Sequence, residues 1–311
     1  MQLPGMSRLA LAASEGKMMN IDQTITRPAL RYYGGQWNNA PWIISHWPAH
    51  ETRIIPFMGG LNDELRAPRA RLTNASDLDD RVVNFFQVLR DHPDDLIRVI
   101  RLTPWHEGEY EISQSPHREP LEDARRFWCA CWMSVSGGPK PGKSGFRWTR
   151  DRDGRWSTPA TDSLNINHLH LVAERLRHIH FLKRDGLELI DDHLGIEKSL
   201  IWCDPPFIKE TRASGANSYA HETSEQLHFD LAALLQRANG YVAITGYAWN
   251  PDGYKNQMYE LLYEAHGWVR VDSNRRVNGG GTRQQSLWLS PRTWDALQIE
   301  RYPLLAGIKG Y

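Results

Sequence analysis

Short apolar runs alternate along the chain with segments whose apolar residues recur every three or four positions. That alternation predicts an α/β domain built on a largely parallel sheet. Residues 53–57 read as a short buried strand, and 71–75 as a second one ending at Asp77. Over 79–90, Val82, Val83, Phe86 and Leu89 share one helical face. Later the rhythm repeats: helix 167–178 leads to strand 179–182, helix 186–193 to strand 199–203, and helix 224–238 to strand 241–245. The chain closes with helix 254–265 and strands 267–272 and 284–290, which suit an antiparallel hairpin. Residues 92–165, rich in Pro, Trp, Arg and Gly, break the rhythm and read as an insert between the second and third strands. The expected division is therefore a disordered extension over 1–26, a core domain from 27–91 plus 166–311, and the insert 92–165.

Composition narrows the class. The 311 residues are 41% hydrophobic and 24% charged, the balance of a soluble globular protein. No apolar run approaches the roughly 18 residues that a membrane helix needs. Leu9-Ala10-Leu11-Ala12-Ala13 is too short for a secretory core. Three cysteines, Cys129, Cys131 and Cys203, are too sparse for a disulfide framework and suit a reducing cytoplasm, the expected location. The formal net charge is zero, so any contact with nucleic acid must rest on locally concentrated positive charge.

Chemistry concentrates where Leu200-Ile201-Trp202-Cys203, an apolar strand, runs into Asp204-Pro205-Pro206-Phe207. Two prolines stop the strand and leave free carbonyls at the sheet's C-terminal edge, where open α/β sheets bind ligands. A carboxylate, fixed carbonyls and an aromatic ring suit an aromatic amino group. Its lone pair is delocalised into its ring, and two acceptors holding its N–H groups favour a pyramidal nitrogen. The ring can stack on the base, an interaction worth roughly 1–3 kcal/mol. Taken alone the tetrapeptide reads equally as an ordinary strand-end turn.

Further segments flank that loop in a fixed order. They are Arg31-Tyr32-Tyr33-Gly34-Gly35-Gln36, Pro56-Phe57-Met58-Gly59-Gly60, Asp77-Leu78-Asp79 before Val83-Asn84-Phe85-Phe86, and Arg184-Asp185-Gly186. After the loop come His228, Thr245-Gly246-Tyr247, Gly279-Gly280-Gly281-Thr282-Arg283 and Leu287-Trp288-Leu289. With Asp204-Pro205-Pro206-Phe207 they resemble the DNA adenine methylase family, in the order of cofactor glycines, target-recognition region and Asp-Pro-Pro-Tyr loop. The resemblance spans roughly residues 30 to 290.

The resemblance implies a Rossmann-like methyltransferase sheet with an inserted helical and β-hairpin target-recognition region. It implies methyl transfer from S-adenosylmethionine to N6 of adenine in double-stranded DNA, after the base has left the duplex. Tyr32, Gly34, Gly35, Gln36, Pro56, Phe57, Gly59, Asp77, Asp185 and Asp204 would form the cofactor pocket, with Asp77 on the ribose hydroxyls. Asp204, Pro205, Pro206 and Phe207 would be catalytic. Four positions depart from the family pattern: Gln36 replaces a usual lysine, Ile55 an acidic residue, Leu61 a small residue and Phe207 the tyrosine. A non-catalytic or weakly active DNA-binding relative, or transfer to cytosine N4 or RNA, are the competing readings; Asp204 and the motif order favour adenine.

Residues 140–156 carry six Lys/Arg against two Asp, a local net of +4, with Phe146, Trp148 and Trp156 interleaved. Alternation, then Asp153-Gly154, then a returning strand make a β-hairpin by composition. Charge runs of this kind are often only solvated surface. A two-stranded ribbon also fits the major groove, and this one resembles the family's target-recognition hairpin. Lys140, Lys143, Arg147, Trp148, Arg150, Arg152 and Arg155 are its candidate DNA contacts. His168, His170, His178 and His180 lack metal-site spacing, and Cys129-Ala130-Cys131 reads as helical core, so no metal is expected. A monomer or weak dimer is expected.

Overall fold

The computed structural model describes residues 25–135, 137–138, 145–150, 156–157, 166–207, 224–250, 253–273 and 284–301. Most of the expected 1–26 extension and the Gly279–Arg283 segment lie outside them. In chain order the elements begin with α1 (Ala40–Ile44), β1 (Thr52–Ile55), α2 (Asn62–Arg66), β2 (Leu72–Asp77) and α3 (Asp80–Asp91). The expected insert, 92–165, holds α4 (Pro93–Leu102), α5 (Glu107–Ser113), α6 (Pro120–Met133) and a ribbon of β3 (Thr149–Arg150) with β4 (Trp156–Ser157). Then follow α7 (His168–Leu176), β5 (Ile179–Lys183), α8 (Gly186–Asp191), β6 (Ser199–Cys203), α9 (Glu225–Leu235) and β7 (Tyr241–Gly246). The last are α10 (Gln257–Leu262), β8 (Val269–Asp272), β9 (Ser286–Leu289) and α11 (Pro291–Arg301).

Seven strands form one sheet in the order β5-β2-β1-β6-β7-β9-β8. The first five are parallel, and β9 and β8 close the edge antiparallel, as the sequence pattern predicts. Every residue of β1 and β6 is buried, because helices cover both faces of the sheet. The strand expected over 53–57 stops at Ile55, since Pro56 has no N–H for the ladder. The helix expected over 254–265 splits into α10 and a 3-10 turn at Glu264–His266, ended by Gly267 at φ 80°. Short α1 and α2, and α11, are not legible from periodicity.

Helix α3 starts at Asp79, whose side chain accepts the Arg81 N–H, and buries Val82, Val83, Phe86 and Leu89 together with Phe85 and Val88. Phe86 stacks on Phe181 of β5 at 6.0 Å, and Phe85 meets Phe127 of α6 at 6.3 Å. The insert helices therefore share the core of the sheet: Leu96, Ile97, Ile100, Tyr110 and Phe127 belong to the same buried cluster as Val82 and Ile179. Cys129 and Cys131 lie buried in α6, as expected. Among the described residues no helix is long and apolar enough to cross a membrane.

One polar cluster sits inside this core. Glu64 of α2 pairs with Arg53 of β1, and its Oε1 accepts from Arg175 of α7 at 2.9 Å and from Thr73 at 3.3 Å. Arg175 also donates to the carbonyls of Glu64 (2.9 Å) and Ala67 (3.0 Å). Arg53 donates to His50 Nε2 at 3.1 Å and lies over the Trp47 ring. Burial and the Arg53 charge push His50 down to about 4, so it stays a neutral acceptor. The cluster fixes α2 beneath β1. Replacing Glu64→Ala leaves two arginines buried without their counter-charge. The expected loss is about 3–5 kcal/mol of stability, read by urea denaturation.

Candidate active site

The strand order turns outward from the boundary between β1 and β6, so the loops after these strands leave the same edge side by side. Such a switch point opens a crevice. The loop after β1, Pro56–Gly60, is tied to the end of β2 by Asp77. One Asp77 oxygen accepts the Gly59 N–H at 2.9 Å and the other the Asp79 N–H at 2.9 Å. Gly59 takes φ 41°, and a Cβ there would press on the Tyr32 ring at 3.3 Å. Tyr32-Tyr33-Gly34-Gly35 forms a turn closed by Gly35 N–H to Tyr32 O at 3.0 Å. The turn lies over the loop so closely that a Cβ on Gly35 would strike Asn62 Nδ2 at 2.5 Å. On the other side α8 begins at Asp185, which caps Leu187 N–H at 2.7 Å.

These elements enclose a cavity. Of the residues that the sequence singles out, its wall holds Tyr32, Gly34, Gly35, Gln36, Pro56, Phe57, Gly59, Asp77, Asp185, Asp204, Pro206 and Phe207. Pro205 is buried and is not part of the wall. Asn62, Asp63, Glu64, Asp79 and Trp202 also line it. Asn62, Asp63 and Glu64 escape sequence reasoning because a polar triplet ordinarily reads as surface. Among the described residues, every charged side chain on the wall is an acid, with no Lys, Arg or His.

Asp204 stands at the end of β6. Burial pushes its carboxyl up to about 7, against the opposing effect of a hydrogen bond from the Gln36 side chain. Gln36 is itself buried and accepts from Gln285 Nε2, which also reaches Thr245 Oγ1 at 2.7 Å. Gln285 Oε1 accepts from Asn39 Nδ2 at 2.5 Å. A chain of amides thus runs from Asn39 through Gln285 and Gln36 to Asp204. The Pro206 carbonyl accepts from His228 Nε2 of α9 at 3.2 Å. Phe207 packs edge-on against Tyr247, with ring centres 4.8 Å apart.

The basic ribbon pairs as the sequence predicts, Thr149 opposite Ser157 and Arg150 opposite Trp156. Its root is built into the insert. Phe146 packs on Trp105 and Tyr110, and Trp105 Nε1 donates to the Arg147 carbonyl at 3.1 Å. Arg31 donates to the carbonyls of Ser134 (2.6 Å) and Val135 (2.7 Å), joining that root to the Tyr32 turn. Trp148 is 67% exposed and turns ring surface to solvent. Neither Arg147 nor Trp148 lines the cavity; Arg150 is placed on β3, and Lys140, Lys143, Arg152 and Arg155 lie outside the described residues. His168 bonds the Pro28 carbonyl and His170 lies 3.7 Å from Asp94, both away from the cavity wall.

The raised Asp204 carboxyl has a consequence for stability. In the unfolded chain an aspartate ionises near its ordinary value of 3.8, whereas in the fold it does so at about 7. The folded state therefore binds the extra proton between those values and loses stability as pH rises through that window. Asp204→Asn removes the penalty. Its melting temperature should exceed that of the parent by a few degrees at pH 8 and by little near pH 4, as calorimetric scans would report.

The chain matches the family model described as "D12 class N6 adenine-specific DNA methyltransferase" over residues 32–277. A search of curated proteins gives no match. Among solved structures 36 chains match. One is described as "Putative methyltransferase yhhF from Escherichia coli", with 10% identity, a TM-score of 0.31, and coverage of 89% of this chain and 88% of that one. The family match begins at the Tyr32 turn and takes in the Pro56–Gly60 loop, the ribbon and the Asp204 loop, well over half of the chain, so the protein belongs to the D12 class of N6 adenine-specific DNA methyltransferases.

Proposed function

We propose that the cavity takes S-adenosylmethionine and that the Asp204 loop holds an adenine flipped out of duplex DNA. The observation that carries this reading is the shared wall: Asp204, the glycine loop after β1 and the Tyr32 turn face one cavity. The cavity suits the cofactor's chemistry. S-adenosylmethionine bears two positive groups and one negative one, and the charged side chains of the described wall are all acids. Gly34, Gly35, Gly59 and Gly60 let a ligand approach the backbone. When bound, the cofactor supplies an electrophilic methyl group on a sulfonium.

In this reading Asp77, oriented by two backbone N–H groups, accepts from the ribose hydroxyls with its remaining lone pairs. Asp185 stands nearer the adenine end, at the N-terminus of α8. Tyr32 and Phe57 supply apolar walls. Asp204 accepts one N–H of the target amino group. His228 engages the Pro206 carbonyl, which leaves that of Pro205 as the second acceptor. Phe207 stacks on the base. An amino group that gains a methyl must lose a proton, and a carboxyl at about 7 would be matched to receive it. Gln36, Gln285 and Asn39 hold that carboxyl in place. Much of the rate then comes from orientation.

The insert 92–165 is the target-recognition region in this reading, and 27–91 with 166–311 the catalytic domain. The ribbon's arginines and lysines meet phosphates and base edges of double-stranded DNA, with Trp148 as a stacking or wedging surface. The enzyme works as a monomer or weak dimer, with no membrane partner.

Two measurements test the assignment. Duplex DNA incubated with the protein and S-adenosylmethionine, then digested to nucleosides, should contain N6-methyladenine. Asp204→Ala should lower its formation by about 10²-fold or more. Unchanged product from the variant would remove Asp204 from the reaction. Replacing Arg147→Ala and Arg150→Ala together should weaken duplex binding. It should also flatten the slope of log affinity against log salt by about 0.9 for each phosphate no longer neutralised. An unaltered slope would place the DNA elsewhere.

A further inference from the structure

Two side-chain acceptors in the cavity find no partner among the described residues. Asn62 and Asp63 open α2, line the cavity wall, and are only 6% and 5% exposed. The Oδ1 atom of each is shut off from solvent and accepts no hydrogen bond there. Buried acceptors are ordinarily paired, so each exception asks for an explanation. The chain enters α2 through Leu61 at φ 52°, a left-handed conformation that side chains disfavour, so the turn presenting these residues is held under strain.

The other acids of the wall are occupied. Glu64 is taken by Arg53 and Arg175, Asp77 by two backbone N–H groups, and Asp79 and Asp185 cap α3 and α8. Asp204 accepts from Gln36, which leaves Asp63, and these two acids face each other electrostatically. Because β1 lies between β2 and β6, Asp77 and Asp204 flank the glycine loop on opposite sides. Asp63 belongs to the Asp204 side, where the Trp202 side chain also reaches it. A ligand whose ribose meets Asp77 therefore extends its far end toward Asp63.

We infer that Asp63, with Asn62 beside it, receives the α-ammonium group at the amino-acid end of S-adenosylmethionine; this rests on the cofactor reading above. An ammonium brings three N–H donors and a positive charge, and two orphaned acceptors next to a second carboxyl supply what it requires. Burial, and then the charge of Asp204, hold the Asp63 carboxyl well above the ordinary carboxylate range. An arriving ammonium favours the ionised form that burial and Asp204 oppose.

Calorimetric titration of the full chain tests this with three probes: S-adenosylmethionine, S-adenosylhomocysteine and 5′-methylthioadenosine, which keeps the adenosine and lacks the amino acid. Asp63→Asn, close in shape, places an N–H₂ or an amide oxygen where the carboxylate stood. It should weaken the first two ligands by about tenfold or more and leave the third unchanged. Undiminished affinity for S-adenosylmethionine would overturn the inference. So would a parallel loss for all three ligands, which would mark Asp63 as a support of the fold. A parent protein that binds none of the three would instead overturn the cofactor reading, and the inference with it.

Discussion

Everything at the site depends on the reversal of strand order between β1 and β6. Two parallel strands buried on both faces deliver their C-terminal loops to one edge, and the chain leaves them in opposite directions, toward β2 and toward β7. Each loop then meets the space between with the geometry its residues permit. Pro56 and Gly59 bend the first loop back toward β2, where Asp77 fastens it through backbone N–H groups. Pro205 and Pro206 stiffen the second, where His228 fastens it from α9. The crevice is shaped by backbone restraint at both ends and by glycine at its floor.

Charge is handled in two contrasting ways within a few residues of α2. Glu64 is buried but answered by two arginines, so its ionisation is supported and α2 is anchored. Asp63, its neighbour in sequence, is buried against another carboxyl, and the described cavity wall carries no basic side chain. The first arrangement serves the fold. The second leaves a buried carboxyl beside another with no counter-charge on the described wall. Asp204 lies between these cases, held by an amide from Gln36 in place of a cation.

The basic ribbon and the cavity are not independent. Arg31 adjoins the Tyr32 turn over the cavity and grips the carbonyls of Ser134 and Val135 at the ribbon's root. Phe146 and Trp105 then join the root to the insert helices, which share a core with the sheet. The ribbon's root is thereby tied to the turn that covers the cavity.

Much of this was legible in the sequence. The parallel core, the final antiparallel pair and the pairing of the ribbon followed from periodicity and turn residues, which are local. The cavity's glycines, Asp77, Asp185 and the Asp204 loop followed from an ordered set of short motifs. Tertiary structure alone decided the rest. Arg53 sat in an apolar strand and Asn62-Asp63-Glu64 in an apparent surface triplet, and only packing brings Arg175, 111 residues along the chain, onto Glu64. Gln36 stood in the sequence only as a departure from a usual lysine, and it became part of an amide chain because Gln285, held in turn by Asn39, converges on it. Periodicity and motifs determine which faces turn inward and where the loops emerge. Which buried polar atoms find partners, and which are left for a ligand, is settled only when distant segments are packed together.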